Sequence, residues 1–259
     1  MMLPVPGKVL KTVLIVLFAT WLVFALAINW GGAAGNTYAA LKGNAFAIAN
    51  GEVWRLFTAL VIHETHGSIG HLLGTMIGLY FLGSSLEESW GGKRFAKFLA
   101  WSGVLAYGTQ VLLLLAAPAL AAKFAPAEFY GASPVVYAVA MAWAFSFKGR
   151  TVSLMFVLPV SSKALVYIVV GLALMTVIAG GMSPSGHIAI FAGMGYGWLL
   201  GGGTPSPLKK GILKYRLAAL EREAQAERQS KKKKVKQSGL TVLKGGKNSD
   251  KDPPGGMLH

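Results

Sequence analysis

The sequence predicts an all-α polytopic membrane protein, a bundle of six helices followed by a basic tail. Three observations predict it. Residues of the AVILMFWYC set make up 54% of the 259 positions against 14% charged, too apolar for a soluble chain of this length. The apolar residues fall into separate runs bounded by glycine, proline or charge, and the basic residues crowd into alternate connections between those runs. With no cysteine in the chain, disulfides, thiolate catalysis and cysteine-based zinc or iron–sulfur centres are excluded.

The first run, Val9 to Ile28, follows Lys8 and matches a full hydrocarbon thickness, so it reads as a retained anchor rather than a cleaved signal. Further runs follow at Ile69 to Leu86, Phe98 to Leu120, Pro134 to Phe147, Ala164 to Ala179 and Ile188 to Leu200. The fourth and sixth fall short of the roughly 20 residues a lipid-exposed span needs, which predicts helices enclosed by protein. Six spans put both termini on one side. Of the 25 Lys and Arg residues, 22 lie on that side and only Lys42, Arg55 and Lys123 on the other, so both ends are expected in the cytoplasm.

The stretch from Asn29 to Ile62 is the long external segment, with Trp54 and Phe57 suited to a headgroup-level helix. The connection Gly149 to Lys163 holds an apolar run, Leu154 to Leu158, that is expected either to dip into the membrane or to extend the fifth helix past Pro159. Residues 1–208 form the membrane domain and 209–259 a tail with 14 bases and 5 acids. Such a polybasic juxtamembrane segment fits anionic lipid heads; the tail lacks interleaved aromatics, so no nucleic-acid partner is expected.

Two glycine ladders stand out. Gly193, Gly197 and Gly201 recur every fourth residue in the sixth span, and Gly70, Gly74 and Gly78 do so in the second; each is expected to be a flat face for close helix packing. Transport is disfavoured, since the predicted spans carry little charge and no inverted repeat is evident.

Polar residues within or beside the spans are the candidates for chemistry. His63, Glu64, His66 and His71 gather where the second span begins, with Thr75 one turn past His71. A metal is not expected, because His66 and His71 are five apart and do not share a helical face, and His63 and His66 read as loop residues. Ser133 precedes Pro134 at the start of the fourth span. It is either an N-cap ahead of a first-turn proline or a nucleophile held at a helix N-terminus, where developing negative charge is favoured. His187, at the mouth of the sixth span, could accept the Ser133 proton if the fourth and sixth helices touch.

Taken in order, Trp54–Arg55, the His66 and His71 region, Gly83, Glu87 and Gly91, Gly131–Ala132–Ser133, Leu158–Pro159–Val160 and the sixth-span glycine ladder resemble the rhomboid family of intramembrane serine proteases. The resemblance covers roughly residues 9 to 204. It implies a cavity open to the outside that reaches Ser133, which attacks the backbone of a transmembrane substrate. A sixth-helix histidine would be the base, His71 and Thr75 would hold the oxyanion, and no metal or cofactor would take part. In a bacterium this places the chain in the inner membrane. Three positions depart from the family pattern: Pro134 stands where glycine usually follows the serine, Thr75 replaces an asparagine, and Ile190 occupies the place of the catalytic histidine, three residues beyond His187. A Ser133–His187 protease and a catalytically inactive, client-binding pseudoprotease both fit these residues.

Overall fold

The computed structural model describes residues 5–66, 69–154, 158–203 and 205–237. The first helix is α1, Lys8–Asn29, whose 22 residues fully bury only Leu10, Leu17 and Ala25; Val9, Val13, Leu14 and Trp21 pack half-buried on the bundle, while Ile15, Phe18, Val23 and Leu26 face outward. Its first turn has no capping side chain of its own. The Glu87 carboxylate supplies one instead, accepting from the Val9 and Leu10 amides at 2.9 Å each, so an acid sits where the helix dipole is positive.

The segment after α1 folds into α2, Gly35–Leu41, the two-residue β1, Gly43–Asn44, then α3, Ala45–Ala49, and α4, Arg55–Thr58. Arg55 gathers it, donating to the carbonyls of Ala39 and Lys42 at 2.9 Å and pairing with Glu52 at 2.6 Å. Trp54 and Phe57 are about half exposed, their apolar faces turned outward.

The bundle continues with α5, Gly70–Trp90, and α6, Gly92–Ala116; Gly91 joins them at a positive φ of 78°. The short α7, Pro118–Ala121, and β2, Glu128–Phe129, lead into α8, Ser133–Ser146. Strand β2 pairs antiparallel with β1, Gly43 opposite Phe129, and so ties the α1–α5 segment to the chain just ahead of α8. After α8 come β3, Thr151–Leu154, and β4, Leu158–Ser161, then α9, Ser162–Ile178, α10, His187–Gly201, and α11, Pro207–Gln237. Apart from two small ladders the described residues are all-α, and α1, α5, α6, α8, α9 and α10 overlap the six predicted runs, with the third run breaking at Ala117 and its last residues entering α7.

The connection before α9 departs from expectation. It does not extend the fifth helix, because β3 and β4 form an antiparallel hairpin pairing Thr151 with Ser161 and Leu154 with Leu158. Residues 155–157 lie outside the described set. Helix α9 starts where Ser161 Oγ accepts from the Ala164 amide at 3.2 Å, an N-cap that fixes the boundary after Pro159.

At the centre stands α8. Its 14 residues would span only about 21 Å, less than a bilayer core, and eight of them are buried. Helix α10 packs mainly on α8 and α6. A β-carbon at Gly193 would strike the Pro134 carbonyl, one at Gly197 the Ala138 backbone, and one at Gly201 the Ala142 methyl at 2.6 Å. The sixth-span ladder is thus a backbone-to-backbone seam of the kind dispersion favours where water gives no driving force. The second-span ladder behaves otherwise: Gly78 approaches Val136, but Gly70 and Gly74 line a cavity, and a β-carbon on Gly74 would meet nothing.

By contact density the chain divides into two units, 1–210 and 211–259. The described part of the second is the continuation of α11, which carries a Lys231–Glu227 ion pair at 2.6 Å.

Gly197→Leu should lower the unfolding free energy in detergent by about 3 kcal/mol or more, the scale of forced overpacking. Gly195→Leu, on the same helix with open space around it, should stay within about 0.5 kcal/mol. Reversible denaturation of the two variants side by side checks this.

Candidate active site

Helix α8 begins at Ser133, with Ala132 as the residue that precedes it, and no side chain caps the turn. The N-cap reading of Ser133 therefore does not hold. Its Oγ lies 2.8 Å from Nε2 of His71, in the first turn of α5.

The imidazole is seated by the chain just before α8. Gly131 has a φ of 98°, and a β-carbon there would come within 2.5 Å of His71 Cε1, so this residue must be glycine both for its backbone and for the ring beside it. The segment is pinned from three sides. The Gly131 amide donates to the Ala59 carbonyl at 2.8 Å, the Tyr107 hydroxyl to the Gly131 carbonyl at 2.6 Å, and the Ser185 hydroxyl to the Tyr130 carbonyl at 2.9 Å.

Behind His71 lies His63, with ring centroids 5.3 Å apart at 42°. His63 lies in the loop between α4 and α5, as expected, but is 1% exposed, whereas His66 is exposed. Side chains hold the backbone of this stretch: Tyr38 donates to the His63 carbonyl at 2.7 Å, Trp21 to that of Glu64 at 2.7 Å and Asn29 to that of Thr65 at 2.8 Å. The Glu64 carboxylate accepts from the Tyr130 hydroxyl. Burial pushes His63 down to about 4 and Tyr38 up to about 12, and burial together with the Glu64 contact raises Tyr130. His63 is accordingly neutral at pH 7, and both tyrosines remain donors.

His187 stands elsewhere. Its amide donates to the Phe124 carbonyl at 2.8 Å, its Nε2 to the Gly181 carbonyl at 2.8 Å, and its Nδ1 faces Thr176 Oγ1 at 3.5 Å. A nitrogen that donates to a carbonyl carries the proton and is no base. The expected Ser133–His187 encounter is therefore not what the structure holds. The α8–α10 seam puts Gly193 on the Pro134 carbonyl, and His187, six residues earlier, turns toward the connection from α9. Ile190 is buried in the main apolar core.

Ser133, His71 and Thr75 open on one cavity of about 460 Å³ between α5, α8 and α9, whose other walls are mostly apolar, including Val136, Leu165 and Val169. Sequence reasoning named Ser133, His71 and Thr75 but missed His63 as a neighbour of the site. The signal available was its eight-residue offset from His71, which is uninformative without knowing how the intervening chain turns.

A serine hydroxyl paired with an imidazole at the head of a short buried helix, facing an apolar cavity inside a bundle, defines the class of intramembrane serine hydrolases and their relatives. Residues 50–203 match the Rhomboid domain, and the chain belongs to the rhomboid family; it is an integral membrane protein. Over 100 residues it is 33% identical to the rhomboid protease GluP of Bacillus subtilis (strain 168), a match that takes in 38% of this chain and 19% of that protein.

Gly131→Ala should displace the His71 ring and cost about 2 kcal/mol or more of stability, from a strained φ and a direct overlap. Denaturation, together with histidine ¹⁵N shifts that report the His71 environment, checks both parts.

Proposed function

We infer that the protein is an intramembrane serine endopeptidase acting on transmembrane protein substrates, with Ser133 as nucleophile and His71, in place of His187, as its base. The observation that carries this reading is the 2.8 Å contact between Ser133 Oγ and His71 Nε2 on the wall of the apolar cavity.

With its proton on Nδ1, His71 accepts the hydroxyl proton at Nε2 as Ser133 oxygen attacks the scissile carbonyl. The proton then passes from Nε2 to the departing amine. Water, deprotonated by the same nitrogen, afterwards releases the acyl group from Ser133. Thr75, one turn along α5 from His71, faces the cavity as a hydroxyl donor for the oxyanion. Pro134 brings no N–H to that position, and one missing donor costs about 3 kcal/mol of transition-state stabilisation. A slow enzyme follows. The apolar cavity walls suit a substrate helix entering from the bilayer, the loop charges orient both termini to the cytoplasm, and the basic tail meets anionic lipid heads there.

A second reading, a noncatalytic homologue that binds transmembrane clients in the same cavity, is favoured by one observation: the family-type base position is Ile190, buried among apolar side chains.

Cleavage of a transmembrane substrate by the full chain in liposomes separates the two. Ser133→Ala should abolish cleavage, His71→Ala should lower kcat by about 10³-fold or more, and His187→Gln, which keeps a donor for the Gly181 carbonyl, should stay within about threefold of the parent rate. A parent protein that crosslinks to the substrate without cutting it, and is unchanged by Ser133→Ala, would establish the client-binding reading instead.

A further inference from the structure

Two buried imidazole nitrogens beside the site find no hydrogen-bond partner among the described residues: Nδ1 of His71 and Nε2 of His63. Each is accounted for on its other side. His71 Nε2 faces Ser133 Oγ at 2.8 Å, and His63 Nδ1 lies 3.1 Å from the Val61 carbonyl. A carbonyl only accepts, so His63 Nδ1 carries the hydrogen and its Nε2 is a bare lone pair. If His71 is to accept the serine proton at Nε2, its own hydrogen must be on Nδ1. The unmatched pair is therefore a donor and an acceptor, on rings whose centroids are 5.3 Å apart. Burying either without a partner costs about 1–3 kcal/mol, a cost that a bond between the two rings removes.

We propose that His63 is a positioning residue for this site, its Nε2 accepting the Nδ1–H of His71 and completing a Ser133–His71–His63 chain of hydrogen bonds. The role is that of the third group in a hydrolytic triad. It fixes the His71 tautomer with Nε2 free for the serine, and it holds the ring in plane as charge builds on it. His63 does not take the proton: its Nε2 shares the Nδ1 hydrogen of His71 while the transferred proton resides on Nε2 of His71. Burial suits a neutral acceptor better than a carboxylate here. The loop is braced for the purpose, with Tyr38, Trp21 and Asn29 each holding one of the three consecutive carbonyls at 63, 64 and 65.

The inference rests on the protease reading for its functional consequence but not for the hydrogen bond itself, and the test reads the two separately. The full chain in nanodiscs, labelled with ¹⁵N-histidine, should show a downfield imidazole proton assigned to His71 Nδ1. That signal should vanish in His63→Asn, whose amide replaces only the Val61-facing nitrogen, and return in His63→Gln, whose side chain reaches the Nε2 position with an acceptor. In parallel, the rate of Ser133 labelling by a fluorophosphonate should fall at least tenfold in His63→Asn without a change in the probe concentration giving half-maximal rate, and His63→Gln should recover most of the loss. Absence of the downfield proton in the parent protein, or its persistence in His63→Asn, overturns the proposal. So does a labelling rate in folded His63→Asn within twofold of the parent. A parent protein whose Ser133 is unreactive defeats the protease reading alone, and the proton signal then decides the hydrogen bond.

Discussion

The close backbone seam between α8 and α10 is the constraint from which the site follows. Gly193 and Gly197 let α10 lie directly on the carbonyls of Pro134 and Ala138, and that contact fixes both the depth of α8 and the direction in which α10 faces. In a bilayer no hydrophobic force draws two such helices together, so the association depends on dispersion at short range and tolerates no added side chain. Once α8 is held there, its first residue is presented to α5 and not to the beginning of α10. The identity of the serine's partner is a consequence of helix register more than of which histidines the chain possesses.

Around that seam the polar groups are distributed economically. Glu87 satisfies the first amides of α1 from the far end of α5, and Gln110 of α6 accepts from the Ala189 amide at 3.1 Å near the start of α10. Helix ends inside an apolar surround must find such partners, because water is scarce there. The segment between α1 and α5 is organised by the same logic, with Arg55 collecting two carbonyls and Thr58 a third, that of Leu41, at 2.7 Å.

Much of the fold was legible in the sequence because hydrocarbon imposes a length and a polarity that composition records directly. The six apolar runs became the six principal helices, and the sixth-span glycines became the packing face. What the sequence could not reveal was direction. Periodicity places Gly70 and Gly74 on a face with Gly78 but does not say that the first two border a void. Likewise the pattern puts His187 at a helix mouth, yet only the Phe124 and Gly181 carbonyls decide where its ring goes. Ser133 preceding Pro134 suggests a cap as readily as a nucleophile; the 2.8 Å contact with His71 is a long-range fact, across 62 residues, that no local pattern encodes. The hairpin after α8 is hidden for a related reason, since a short apolar run before proline serves a strand as well as a helix extension.

One wall of the hollow beside Ser133 is bare main chain. Where Gly70 and Gly74 pass it, there is no side chain whose rotation could fill or empty the space. On that side the space changes only if α5 itself shifts, while across from it the side chains of Val136, Leu165 and Val169 are free to adjust their fit to an occupant.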